Sequence, residues 1–139
     1  MTSALFTADP TRLQEAGTDF GRYRRGSPAL LAQPRSLAEL QGIIREAKAA
    51  KLKITPRAPG YSAFGQSLPS RGLALDLRAL GGVLGVTDDS IEVEGGVTWE
   101  AVVRASVPHG VMPPVLPLNL AISVGGLLSV GGVGSSAHH

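Results

Sequence analysis

The feature that most limits how this chain can fold is where its charge stops. After Arg104 there is no Asp, Glu, Lys or Arg through His139. An exposed segment of that length ordinarily carries charged side chains, because they dominate solvated positions. A membrane span is one explanation, since Val115 to Gly134 is apolar and about the required length. Pro117 and the pairs Gly125-Gly126 and Gly131-Gly132 argue against it. They would break or loosen a lipid-exposed helix, and no basic flank marks a cytoplasmic side. No membrane span is assigned. The segment is expected to be covered by protein or ligand, with the cover supplied by sequence beyond His139.

The other compositional limits are mild. The chain has 139 residues, 43% of them apolar, enough for one modest core and too apolar for disorder. The absence of cysteine excludes disulfides, thiolate nucleophiles and zinc-thiolate sites. It fits a cytoplasmic protein. Met1 to Pro10 carries Asp9 and no long apolar run, so it does not read as a signal peptide. Residues 1–57 hold ten Arg or Lys against five Asp or Glu, whereas residues 58–139 hold three against six. The basic N-terminal part is read as a solvated helix face rather than a nucleic-acid surface. Its charges are interleaved with acids and no aromatic platform accompanies them.

Element signals follow the chain in the order strand, helix, strand, loop, several strands, helix. Asp9-Pro10-Thr11 can start a short helix ending near Gly17, and Arg22 to Pro28 is a polar lead-in to an apolar strand, Ala29 to Ala32. Ser36-Leu37-Ala38-Glu39 is a capping box. Behind it Leu37, Leu40, Ile43, Ile44 and Ala47 form one apolar stripe, predicting a helix to about Ala50. Strands are expected at Ile54 to Pro56, Leu73 to Leu77, Val83 to Val86 and Ile91 to Glu94, the last two joined by Thr87-Asp88-Asp89-Ser90. Thr98 can cap a second helix with Trp99, Val102, Val103 and Val107 as its buried stripe, stopped by Pro108 and Gly110. The fold class is α+β with a small mixed sheet and flanking helices.

Two loops can carry chemistry. Pro56 to Gln66 follows a strand directly, and its glycines and small residues allow peptide N–H groups to approach an anion closely. Ser62 adds a hydroxyl donor and Gln66 an amide. The loop matches neither the three-glycine dinucleotide fingerprint nor the P-loop ending, which disfavours NAD and ATP folds of those types. By spacing alone the signal is weak. Ile122 to Gly134 is equally ambiguous, reading as a tightly packed turn with a short helix or as a ligand-flanking segment. His138-His139 lacks a third ligand, and no metal is assigned.

Taken together and in order, these segments make the chain resemble the FAD-binding PCMH-type domain of the vanillyl-alcohol oxidase superfamily, within its cytokinin-dehydrogenase-like branch. The resemblance runs from about Ala29 to His139, leaving residues 1–28 as a lead-in. It rests on Pro34-Arg35-Ser36, the Arg57 to Gln66 loop, Leu75-Asp76, Gly95 to Trp99, His109 to Pro114 and Ser123 to Gly134. It implies that the backbone of Ala58, Pro59, Gly60, Tyr61 and Ser62 lines the FAD pyrophosphate, with Gln66 closing the loop. It further implies that Ser123, Gly126, Ser129 and Val133 flank the cofactor from a second, incomplete subdomain.

The chain departs from the family pattern in ways that matter chemically. Tyr61 stands where many relatives carry the histidine bonded to the flavin, so the resemblance implies non-covalent FAD. Leu118 falls where the cytokinin-oxidising members place an aspartate base, and leucine accepts no proton. That speaks against cytokinin dehydrogenation. The family fold also continues beyond this chain, through the rest of the flavin domain and a substrate domain. The expected activity is a flavin-dependent oxidoreductase in which an organic substrate passes a hydride to FAD, with no residue assigned as catalytic. The alternatives are a non-catalytic nucleotide-binding module and an inactive truncated product.

Overall fold

The computed structural model describes residues 5–134, and the chain divides into two compact units, Met1–Ala79 and Leu80–His139. The first unit is built on a four-stranded sheet. In sequence order its elements are β1 (Phe6–Thr7), α1 (Pro10–Ala16), β2 (Leu30–Ala32), α2 (Leu37–Ala49), β3 (Ile54–Arg57) and β4 (Leu73–Asp76). The spatial order is β1-β2-β4-β3. β1 runs antiparallel to β2, while β4 lies parallel to both β2 and β3. The mixed sheet expected from the sequence is therefore present, with β1 as an additional strand that its short sequence did not announce.

Helix α2 forms where the capping box places it. The Ser36 hydroxyl accepts from Glu39 N, and the Glu39 carboxylate accepts from Arg35 N, one residue before the cap. Ile43 and Ala47 sink into the sheet beside Ala32, Leu73 and Leu75. Burying a side chain such as Ile43 contributes roughly 1.5–3 kcal/mol. Two members of the expected stripe stay outside: Leu37 is 65% and Ile44 42% exposed. They lie at the margins of a face that meets the sheet over a narrower arc than the sequence pattern spans. On a second cluster Ala16 of α1 packs with Leu31 and Ala74, alongside Leu13. Strand β4 is consequently buried at all four positions, Ala74 included, where alternation alone would leave half of them wet.

In the second unit β5 (Val83–Val86) and β6 (Ile91–Val93) form an antiparallel hairpin with an irregularity between Val83 and Gly85. Helix α3 (Trp99–Ser106) starts at Thr98, whose hydroxyl accepts from Ala101 N, and buries Val102. It gives way to a tight turn at Val107–His109 that Gly110 ends in the left-handed conformation, φ 73°. Val107, expected in the buried stripe, lies beyond the helix and is 55% exposed. Helix α4 (Val124–Val130) follows. The strip before α3 is zipped to the strip before α4: Val124 N donates to Val97 O, Gly125 N to Gly95 O and Trp99 N to Ile122 O.

The uncharged segment after Arg104 is covered only in part within the described residues: Ser106, Pro117 and Ser123 are buried. Met112, Leu118, Leu128, Val130 and Val133 are all exposed, Leu118 by 92%. No helix among the described residues is long and apolar enough to cross a membrane.

Candidate functional site

The loop that leaves β3 stands at the carboxyl ends of the parallel strands, the edge where open α/β sheets gather their ligands. Ala58 to Gln66 is shaped by the segment Thr18 to Arg22. Phe20 N donates to Gly60 O at 2.8 Å and Gly21 N to Ser62 O at 3.2 Å. There are no cis peptides, so in each bonded unit the N–H points opposite to the carbonyl. The amides of Tyr61 and Ala63 are thereby turned away from Phe20 and Gly21, side by side on the loop's other face. Among the described residues neither has a recorded hydrogen-bond partner. Gly60 takes φ +85°, and a β-carbon there would come within 2.6 Å of Arg57 Nη2. The loop thus leaves two alternate peptide N–H groups, those of Tyr61 and Ala63, open on one face.

Other donors of the loop are already engaged. The Ser62 hydroxyl, read from the sequence as a donor to phosphate, instead donates to Asp19 Oδ2 at 2.9 Å. It also lies 2.6 Å from Ser67 Oγ. Because its one proton is on Asp19, Ser67 supplies the proton of that second contact. Gly65 N donates to Asp19 Oδ2 at 3.0 Å, and Phe64 N donates to Gln66 Oε1 at 2.9 Å. Asp19 was not singled out from the sequence, nor was Ala63. Asp19 sits in a stretch with no helical or strand periodicity, and its loop partners Ser62 and Gly65 are far away along the chain.

Beneath the loop Arg57 turns inward. Its Nη1 donates to the carbonyls of Glu15, Ala16 and Thr18, closing the end of α1. Burial lowers its pKa, partly offset by Asp76, and its Nε is buried without a partner among the described residues. Asp76, paired in register with Arg57, receives Arg78 through Nε and Nη2, and Gln33 through Nε2 at 2.8 Å. Burial pushes the Asp76 carboxyl up, but the bonds from Arg78 and Gln33 outweigh it and hold the group below the usual carboxylate range.

In the second unit Ser123, Gly126 and Ser129 come together around α4. Ser123 is buried and caps the helix, its hydroxyl accepting from Gly126 N at 3.3 Å. Ser129 Oγ donates back to Gly125 O at 2.7 Å. Val133 lies past the left-handed Gly131 and is 79% exposed. Ser123→Ala should lower stability by about 1 kcal/mol through the lost cap. A thermal melt checks it, and an unchanged midpoint would show that the cap is idle. A hollow of about 220 Å3 beside this helix is lined by Trp99, Leu116, Leu127 and Leu128. A larger one of about 440 Å3 lies along Asp88 to Ile91 and Val111 to Pro114. Both are lined by the second unit alone, and neither includes the donor pair of the loop, which is an open backbone surface rather than an enclosure.

Residues 28–139 match the family model described as an FAD binding domain. The chain belongs to that family. An uncharacterized oxidoreductase from the fasciation locus of Rhodococcoides fascians is 35% identical over 136 residues, covering 98% of this chain and 31% of that protein. Cytokinin dehydrogenase 7 of Oryza sativa subsp. japonica is 33% identical over 137 residues, covering 93% of this chain and 26% of its own length. Among solved structures, an alkyldihydroxyacetonephosphate synthase superimposes with a TM-score of 0.81 at 18% identity, over 96% of this chain and 30% of that one. The PCMH-type resemblance and the α+β fold class read from the sequence are thus shown. This FAD-binding domain spans about a third or less of the relatives it matches.

Proposed function

We propose that this chain holds FAD non-covalently, with the pyrophosphate on the Ala58–Ser62 loop, Gln66 closing that loop, and Ser123, Gly126, Ser129 and Val133 flanking the cofactor. It would do so within a flavin-dependent oxidoreductase. The observation that carries the reading is the pair of amides at Tyr61 and Ala63, turned to one face by the bonds their neighbouring carbonyls make. Such donors suit a diphosphate, whose charge needs hydrogen bonds but no cationic partner when peptide dipoles converge. Ala63 joins the residues expected from the sequence, and the Ser62 hydroxyl acts on the loop itself.

Bound FAD supplies the hydride acceptance that makes such a protein an oxidoreductase. The chain's own residues bind and orient. Tyr61 carries a phenol, which excludes a histidyl link to the flavin at that position. Leu118 is apolar and 92% exposed, so it moves no proton.

Titration of the chain with FAD, ADP and riboflavin tests the assignment. FAD is expected to bind with quenched flavin fluorescence, more tightly than ADP, and acid precipitation should release all of it into the supernatant. Flavin retained in the pellet would contradict non-covalent binding. Equal affinities for FAD and ADP would favour a nucleotide-binding module without flavin chemistry, and no binding of either would remove the proposal.

A further inference from the structure

We propose that Asp19 is the positioning residue of the diphosphate loop, an inference that rests on the FAD reading above. The carboxylate is buried, at 4% exposure. It accepts three hydrogen bonds: Arg22 N on Oδ1 at 3.0 Å, and Ser62 Oγ and Gly65 N on Oδ2 at 2.9 and 3.0 Å. Two of these donors belong to the loop and one to the segment that clamps it. The two residues that follow Asp19 join the same two stretches, through Phe20 N to Gly60 O and Gly21 N to Ser62 O. Asp19 thus ties its own segment to the loop at Ser62, whose carbonyl aims the amide of Ala63, and at Gly65 further along.

The chemistry explains why an acid is needed there. A carboxylate is an acceptor only, so it collects inward-facing donors without supplying one of its own. Ser62 Oγ and Gly65 N, held by Asp19, are removed from competition for a phosphate and serve instead to fix the loop's curvature. A negative group beside a diphosphate site would by charge alone weaken binding. Asp19 is therefore expected to act through geometry and against its own electrostatics, which gives the test a sign.

Asp19→Asn keeps the shape but replaces one acceptor oxygen by a donor, so at least one of the three bonds is lost. FAD and ADP affinity should each fall about tenfold, the cost of a lost bond to a charged acceptor. Ser62→Ala should weaken both in the same direction. The double variant should be no weaker than Asp19→Asn by more than about twofold, because the two act as one unit, whereas independent structural losses multiply. Asp19→Ala, read in parallel with circular dichroism, guards against misfolding of one variant. Tighter FAD binding by Asp19→Asn would show that Asp19 acts as a charge and overturn the proposal. So would affinity unchanged from the wild type, or multiplicative losses in the double variant. If the wild-type chain itself binds no FAD, the cofactor reading falls first and takes this one with it, an outcome distinct from a wild type that binds and a variant that binds equally.

Discussion

Gly21→Ala is expected to lower FAD affinity on the order of a hundredfold, equivalent to about 2.7 kcal/mol, and to destabilise the first unit by a similar amount. A β-carbon on Gly21 would lie 1.7 Å from the carbonyl oxygen of Ala63, 2.4 Å from its carbon and 2.6 Å from its Cα. These are backbone atoms, which cannot rotate aside as a side chain would. Relief requires the Thr18–Arg22 segment and the loop to separate by more than an ångström. That would stretch the bonds from Phe20 to Gly60 and from Gly21 to Ser62, each worth roughly 1 kcal/mol. The peptides at Tyr61 and Ala63 would lose their common aim at the same time, which is why binding and stability should fall together. Gly85→Ala is the matched control, since nothing lies within 4 Å of a β-carbon there. Thermal melts and FAD titrations of both variants decide the matter. A Gly21→Ala chain that melts and binds like the wild type would mean that the two stretches are not held in contact.

What the sequence made legible were features whose cause is local. Ser36 and Glu39 announce α2 because the cap and its partner lie within one turn. Asp9 announces α1 in the same way, its side chain accepting from Arg12 N. Thr98 announces α3. Strand limits shifted by a residue, Leu30 for Ala29 and Arg57 for Pro56, because pairing rather than composition ends a strand. β1, only Phe6 and Thr7, has no pattern to detect and exists through its pairing with Leu31 and Ala32.

Asp19 shows the limit most clearly. Its loop partners Ser62 and Gly65 lie 43 and 46 residues away, so nothing near Asp19 distinguishes it from any loop acid. The same distance hid the engagement of the Ser62 hydroxyl, which by type alone looks free to meet a phosphate. The general position of the loop could be read because a glycine-rich run after a strand is a property of composition. Which of its peptides face outward could not, because that depends on the carbonyls bonded to a segment from the other end of the unit.

The second large effect is expected at Asp76, at the end of the strand that pairs with β3. Asp76→Ala should destabilise the chain by about 2–3 kcal/mol, below the 3–5 kcal/mol of a fully buried pair because water screens the partner. Asp76 is 2% exposed, while Arg78 is 44% exposed. The loss should also depend on pH, in a direction the structure fixes. Burial pushes the Asp76 carboxyl up, yet the bonds from Arg78 and Gln33 bring its folded pKa below the ordinary value. A carboxyl with a depressed folded pKa contributes stability above its unfolded pKa of about 3.9, and that contribution fades as pH falls through the folded value. The gap in unfolding free energy between wild type and Asp76→Ala should accordingly be full near about pH 7 and narrow below about pH 4. Denaturant melts across that range measure it. A gap constant down to strong acid would show that Asp76 contributes by packing alone, and that the charge at the end of β4 does not help to fix the neighbouring end of β3, from which the Ala58–Gln66 loop departs.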